Sequence, residues 1–223
     1  MESEKQRRYK TIIEMAITYI AVILIIMFSS SIVSLGNSTA VKMFLTVGVY
    51  ATAAAVVFIV LYLRKIPLSE LGFTKIRINK QLLTAVLIFA FTFFAAVIIP
   101  LALGINRADV LHYKYRSVYI LIFYMFYDFF CVGFGEELIF RGYFYSRIKT
   151  VSQKAYMPMI ISALLFGLLH YPNTLNIANV IATTGLGLVY GFCRWKIKSC
   201  SLLSLSVAHG MHDAVISLLS YIL

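Results

Sequence analysis

The feature that most constrains this chain is a series of seven apolar runs, most of them close to the ~20 residues that an α-helix needs to cross a bilayer. The runs lie at about 11–35, 40–63, 81–103, 117–149, 156–171, 177–195 and 201–223. Backbone polar groups inside lipid must find partners within the protein, and helices supply them along each segment. The sequence therefore predicts an all-α, polytopic membrane helix bundle with about seven transmembrane helices, in a range of six to eight; a break inside 117–149 is left open.

The composition supports a membrane protein and argues against a nucleic-acid partner. Of the 223 residues, 61% are hydrophobic and 13% are charged, whereas a soluble domain is about half apolar and about a quarter charged. The net charge of +11 is not concentrated on one element, so it does not indicate a nucleic-acid surface. The first apolar run is long enough to span a bilayer and lacks a small-residue cleavage site, so no cleavable signal peptide is expected.

The positions of the basic residues predict the orientation of the helices. With the N-terminus in the cytoplasm, 15 of the 20 lysines and arginines fall in cytoplasmic segments, as the positive-inside rule requires. The opposite side keeps Lys42, Arg107, Lys114 and Arg116. The Ile-, Lys- and Tyr-rich composition is typical of a low-GC bacterium, so the expected location is the bacterial plasma membrane, with a cytoplasmic N-terminus.

The chain divides into three regions. Residues 1–10 form a polar, basic tail, 11–117 hold the N-terminal transmembrane helices, and 118–223 hold the C-terminal ones. Within the second region, the segment 66–80 interrupts the apolar pattern and is predicted to be an interfacial loop or a short amphipathic helix. Pro100 is predicted to kink or end the third run, because proline lacks a backbone donor.

Three polar motifs lie inside the apolar runs of the C-terminal region. They read Glu-Glu-Leu-Ile-Phe-Arg at 136–141, Phe-Gly-Leu-Leu-His at 166–170 and His-Gly-Met-His-Asp at 209–213. Transfer of a charged group into hydrocarbon costs on the order of several kcal/mol. Ionisable residues within transmembrane segments are therefore a functional-site hypothesis by default.

Helix geometry predicts that the three motifs lie at one depth. Glu136 lies 16 residues before the basic turn near Ser152, and His170 lies 18 residues after it. At ~1.5 Å per residue, an antiparallel helix pair brings these two positions within about one turn of each other. Glu136 and His209 each lie 11 residues from the basic residues at the cytoplasmic ends of their helices. The three side chains can therefore share one layer near the middle of the membrane.

Helix periodicity also predicts which side chains face each other. Glu137 and Arg141 are spaced i, i+4 and can form an ion pair on one side of their helix. Glu136 is rotated by about 100° from Glu137 and is free to point elsewhere. His209 and Asp213 share the i, i+4 spacing, so both can face the same cavity.

The three motifs, in this order and on separate helices, resemble those of the CAAX protease and bacteriocin-processing family of intramembrane proteases. That family includes the eukaryotic prenyl-protein endoprotease and bacterial relatives linked to bacteriocin self-immunity. The resemblance covers roughly residues 118–223 and identifies this region as a catalytic transmembrane core. Asp213 departs from the pattern, because the better studied members carry Asn there, and a carboxylate cannot donate a hydrogen bond unless it is protonated.

The resemblance implies an endopeptidase that hydrolyses a peptide bond of a membrane-associated peptide or protein. Such a reaction needs an activated water, a base and donors for the tetrahedral oxyanion. We interpret Glu136 as the general base and His170 as a residue that holds the water. We interpret His209 as a stabiliser of the oxyanion, with Asp213 beside it.

The other residues of the three motifs are interpreted as supporting residues, and two further acids in the apolar runs have no assigned role. Glu137 and Arg141 are interpreted as a supporting ion pair, which costs less to bury than either charge alone. Phe166 is interpreted as a packing residue that shapes the cavity wall. Asp128 and Glu14 also lie in apolar runs, and the sequence gives no account of them beyond a wet interior or local pairing.

Alternatives remain open for the cofactor and the function. No cofactor is predicted, although Glu136, His170 and His209 are of the right types for a zinc site; the His-Glu-x-x-His pattern of zincins is absent. The alternative function is a non-proteolytic bacteriocin-immunity or membrane sensor protein that uses the same cavity for binding. An ion-coupled transporter is a third hypothesis, but the halves of the chain show no internal duplication.

Overall fold

The computed structural model describes residues 3–74, 77–111, 115 and 117–223, and in these ranges it contains helices and no strand. Lys75 of the predicted cytoplasmic set, and Lys114 and Arg116 of the opposite set, lie outside the described residues. The seven main helices are α1 (Glu4–Ser34), α2 (Thr39–Leu63), α3 (Ile78–Ala102), α4 (Val118–Val151), α5 (Met157–Leu169), α6 (Ile177–Lys196) and α7 (Leu202–Ile222). The predicted all-α bundle is confirmed.

Six of these helices are long and apolar enough to cross a membrane, so the chain is an integral membrane protein. The helix α5 has 13 residues and is followed after His170 by a second short helix, Tyr171–Thr174. The run at 117–149 forms one long helix of 34 residues rather than two. Six helices of spanning length in the described residues agree with the predicted six to eight.

The helix α4 is wound irregularly at the Glu-Glu motif. Both glutamates lie in a single α-helical turn, Phe134–Glu137. This turn is flanked by two π-helical segments, Asp128–Gly133 and Leu138–Phe144. Such segments are rare and occur frequently at functional sites. A third π-helical segment, Phe94–Ile98, precedes Pro100 in α3, and α3 ends two residues after the proline.

The helix α7 lies at the centre of the bundle. Over half of its most apolar stretch is buried (56%), compared with 17–28% for the other five spans. It packs against α3 and α4. At the crossing with α4 the two backbones touch, because a Cβ atom on Gly133 would lie 2.5 Å from the Gly210 nitrogen. Small residues permit this close approach, which brings the residues around Gly210 next to the Glu-Glu turn.

The helices α5 and α6 form a second close pair. In α6, Gly187 and Gly191 have the small-xxx-small spacing of tightly packed membrane helices. A Cβ atom on Gly187 would lie 3.1 Å from the Ala163 Cα, and one on Gly191 would lie 3.2 Å from the Met159 Cα. This pair places the Phe-Gly-Leu-Leu-His motif of α5 against α4 and α7.

Glu14 joins three helices at one end of the bundle. Its carboxylate accepts from Arg64 Nε over 2.6 Å, from Arg147 Nε over 2.9 Å and from the Tyr143 hydroxyl over 3.0 Å. The carboxylate carries two arginine partners and a hydroxyl donor, so its burial is compensated. The acid that the sequence left unexplained therefore connects α1, α2 and α4.

The described stretch 66–74 of the predicted interfacial segment is docked onto the ends of α4, α6 and α7. It contains a 3₁₀ turn, Leu68–Leu71, and Leu71 is 1% exposed. The Leu71 carbonyl accepts from Arg194 Nη1 over 2.8 Å, and the Gly72 carbonyl accepts from the Leu202 backbone N–H over 3.0 Å. Gly72 has φ of +94°, a left-handed conformation that glycine adopts without a steric penalty.

Candidate active site

Both glutamates of the Glu-Glu turn contact the same imidazole. His209 Nδ1 lies 3.0 Å from Glu137 Oε1, and His209 Nε2 lies 3.8 Å from Glu136 Oε2. The three side chains are 0–4% exposed. The sequence predicted a shared layer for Glu136 and His209; the structure brings Glu137 into direct contact with His209 as well, through the opposite ring nitrogen.

Asp213 contacts the same histidine from the next turn of α7. Its Oδ2 lies 3.3 Å from His209 Nε2, and its side chain is 27% exposed, the most open of this group. His209 therefore has carboxylates on both ring nitrogens. An imidazole donates from both nitrogens only in its protonated form, whereas the neutral ring donates from one. The arrangement can stabilise an imidazolium and fixes the plane of the ring.

Arg141 and Glu137 form the ion pair that their spacing suggested. Arg141 Nη1 lies 2.8 Å from Glu137 Oε1, and both side chains are completely buried. The guanidinium carbon lies 4.2 Å from the centre of the Phe166 ring, a cation–π geometry. Glu137 Oε1 thus receives both Arg141 and His209, which links α4 to α7 and holds the imidazole in place.

His170 is connected to the group around His209 by the ring of Phe166, which contacts both histidines. The Phe166 ring makes edge contacts with both imidazoles, at centroid distances of 4.9 Å to His170 and 5.9 Å to His209. His170 Nδ1 donates to the Phe166 carbonyl over 2.9 Å. Because that bond uses the Nδ1 proton, Nε2 of a neutral His170 is an acceptor. The two histidines share one aromatic neighbour, and among the described residues His170 makes no hydrogen bond to Glu136.

The sequence missed a tyrosine that contacts Glu136. The Tyr50 hydroxyl, on α2, donates to Glu136 Oε1 over 2.9 Å. Tyr50 lies 86 residues before Glu136 in an apolar run and belongs to no motif, so no local pattern points to it. A second tyrosine, Tyr190 of α6, lies with its ring 5.5 Å from the His209 ring and is fully buried.

Asp128 is held by the C-terminal half of α7. The Ser217 hydroxyl donates to Asp128 Oδ2 over 2.5 Å, and Ser217 Oγ lies 2.9 Å from the Tyr115 hydroxyl. His209, Asp213 and Ser217 follow one another at i, i+4 and i+8, so they form one polar stripe on α7. This stripe faces α4 and accounts for the polar position of Asp128.

The zinc hypothesis rested on three ligand types near one another. Among the described residues, no three His, Cys, Asp or Glu side chains are arranged to hold a metal ion. The nearby His212 is directed toward α3, where its ring lies 6.2 Å from the Phe93 ring. It therefore belongs to the α3–α7 interface rather than to the group around His209.

Comparison with known proteins adds one match. Residues 117–215 match the family model described as Rce1-like, type II CAAX prenyl endopeptidase. The match runs from the start of α4 into α7 and contains all three motifs, so the predicted family resemblance is confirmed. Residues 117–215 are therefore similar to this endopeptidase family. No curated protein and no solved structure gave a significant match.

Proposed function

We propose that this protein, whose residues 117–215 match the Rce1-like CAAX endopeptidase family model, cleaves a peptide bond of a membrane-associated peptide or protein by means of an activated water. The observation that carries this proposal is the group of three carboxylates around His209 within spanning helices. Charged groups at such depth are expensive to bury and mark functional sites. Their convergence from two helices fits a catalytic group better than a set of separate packing contacts.

In the proposed reaction, Glu136 acts as the general base. Its Oε2 takes a proton from a water molecule that also donates to His170 Nε2, and the resulting hydroxide attacks the carbonyl carbon of the peptide bond. The tetrahedral intermediate collapses when Glu136 returns that proton to the leaving amine. The products are one carboxyl-terminal and one amino-terminal fragment.

His209 is proposed to stabilise the oxyanion of the tetrahedral intermediate. A donor directed at the developing negative charge supplies the largest share of such catalysis. Glu137 holds Nδ1 of the imidazole at 3.0 Å, and Nε2, which lies 3.3 Å from Asp213 in the absence of substrate, is the donor that turns to the oxyanion when the intermediate forms. In this arrangement Asp213 orients His209 and does not itself donate to the oxyanion, which accommodates the acid at a position where relatives carry Asn.

The experiment compares the membrane peptides of cells that express the wild type, Glu136→Gln and Glu70→Gln. Glu70 is exposed and provides a matched control for the chemical change. We expect new peptide termini in the wild type and Glu70→Gln that are missing in Glu136→Gln, with equal amounts of inserted protein. Identical termini in all three samples would remove the protease proposal. Protection of the cells against a bacteriocin that is retained in Glu136→Ala and His170→Ala would instead identify a binding protein.

We also propose that the N-terminus lies in the cytoplasm of a bacterial cell. The support is the distribution of the 20 lysines and arginines along the sequence. Fusions of alkaline phosphatase to the two ends of α2 test this. Activity is expected for a fusion before Thr39 and none for a fusion after Leu63; the reverse pattern would contradict the orientation.

A further inference from the structure

One polar contact to the catalytic glutamate comes from outside the segment that matches the family. Tyr50 of α2 donates to Glu136 Oε1 over 2.9 Å, whereas the family match begins at residue 117. We propose that Tyr50 is a positioning residue of the active site, which holds Oε1 of Glu136 and leaves Oε2 to take the proton from water. This inference rests on the proposed function and adds α2 to the catalytic unit.

The Tyr50 ring is fixed on two sides. It makes an edge contact with the Tyr127 ring, at 5.5 Å between centroids and 86° between planes. It also packs over Gly135, where a Cβ atom would lie 3.7 Å from Tyr50 Cδ1. The helix α2 itself is anchored by a stripe of buried residues, namely Val49, Ala53, Val57 and Leu61. The hydroxyl is therefore presented to Glu136 from a packed framework.

The hydrogen bond distinguishes the two oxygens of Glu136. Oε1 accepts from Tyr50, while Oε2 lies 3.8 Å from His209 Nε2, the nitrogen that the partly exposed Asp213 also contacts. A carboxylate with one oxygen held cannot rotate freely. Catalytic groups need to be held within about 0.5 Å of the productive geometry, and this contact restrains the position of the base.

The alternative is that Tyr50 only ties two helices together, and the chain offers a matched comparison. The Tyr19 hydroxyl donates to the Leu165 carbonyl, also over 2.9 Å, and joins α1 to α5. The Tyr19 ring makes an edge contact with Phe144 at 5.9 Å. Tyr19→Phe and Tyr50→Phe thus delete the same group with the same hydrogen-bond length, but only Tyr50 bonds to a carboxylate. If Tyr50 is a tether, the two variants behave alike.

The test measures hydrolysis by purified protein in liposomes, with a fluorescence-quenched peptide that spans a cleavage site found in the membrane comparison above. We expect Tyr50→Phe to lower kcat by roughly ten-fold or more, with KM within about two-fold of wild type. The acid limb of the pH–rate profile of Tyr50→Phe should move to higher pH, because this variant loses a hydrogen bond that favours the ionised form of the carboxyl group. Tyr19→Phe should keep the wild-type pH profile.

The outcomes separate this inference from the proposed function. If Glu136→Gln is inactive while Tyr50→Phe keeps the wild-type kcat and acid limb, the Tyr50 proposal is wrong and the protease proposal stands. Equal losses in Tyr50→Phe and Tyr19→Phe with no change in the pH profile would also overturn it, in favour of a tether. If the wild type yields no Glu136-dependent cleavage, the proposed function itself fails, and the role of Tyr50 fails with it.

Discussion

The buried ion pair between Arg141 and Glu137 gives a quantitative test of how the site is held together. Both side chains are 0% exposed, with 2.8 Å between Nη1 and Oε1. Replacement of Arg141 by Met keeps much of the apolar stem but removes the cation. Glu137 would then retain His209 as its remaining partner. Removal of one member of a buried pair costs about 3–5 kcal/mol, and the lost contact with the Phe166 ring adds up to roughly 2 kcal/mol.

The chain contains a matched control for this change. Arg8 and Glu4 have the same residue types, the same i, i+4 spacing and an N–O distance of 2.7 Å, but their side chains are 37% and 69% exposed. Exposed helical pairs of this kind contribute about 0.3–0.5 kcal/mol. Unfolding of the purified protein, followed by circular dichroism during titration with a denaturing detergent, should show a loss of at least about 3 kcal/mol for Arg141→Met and almost none for Arg8→Met.

The double variant Glu137→Gln/Arg141→Met completes the test. Because replacement of both members of a buried pair is often close to neutral, the double variant should be more stable than Arg141→Met alone. The coupling between the two positions should exceed about 1 kcal/mol. Equal losses of stability in Arg141→Met and Arg8→Met, or strict additivity in the double variant, would refute the conclusion that the buried pair contributes more to stability than the exposed one.

Three further predictions concern the geometry and chemistry of the site. Gly210→Ala should lower peptide cleavage by about 100-fold, because the new Cβ atom would lie 2.7 Å from the Phe129 carbonyl oxygen and push α7 away from α4. Gly48→Ala is the control, because a Cβ atom there has nothing within 4 Å, and it should keep wild-type activity. Equal activities of the two variants would contradict the close crossing of α4 and α7. Asp213→Asn should keep activity within roughly ten-fold, because the amide oxygen still accepts from His209 and only the charge assistance is lost; complete inactivity in steady-state kinetics would assign Asp213 a direct role. Chelation with EDTA should leave peptide cleavage unchanged, because Glu136 and Glu137 are already engaged by protein donors; a loss that added zinc restores would establish a metal enzyme.

The sequence was sufficient to predict features that follow from local periodicity. Apolar runs of spanning length predicted the bundle, because the cost of unsatisfied backbone groups in lipid leaves helices as the solution. The rise per residue predicted one level for Glu136 and His209, and the i, i+4 rule predicted the pair of Glu137 with Arg141. Each of these inferences uses only the geometry of a single helix or of two adjacent ones.

The features that the sequence did not reveal depend on contacts between distant segments. Tyr50 and Glu136 meet because α2 packs on α4, and nothing in an apolar run marks which tyrosine will face a carboxylate. Glu14 finds Arg64 and Arg147 across 50 and 133 residues. The π-helical segments around the Glu-Glu turn change the directions in which side chains of α4 point, and no pattern of residues in the sequence predicts these segments.

The central claim is that Glu136 activates a water molecule that cleaves a peptide bond within the membrane. A single-turnover reaction of the purified protein with the quenched peptide in ¹⁸O-labelled water tests it directly, with mass spectrometry of the new carboxyl terminus. The account predicts one ¹⁸O atom in that carboxyl group on the first turnover, and no product with Glu136→Gln. Unlabelled product on the first turnover would show that Glu136 attacks the peptide itself, and product formation by Glu136→Gln would remove this residue from the reaction.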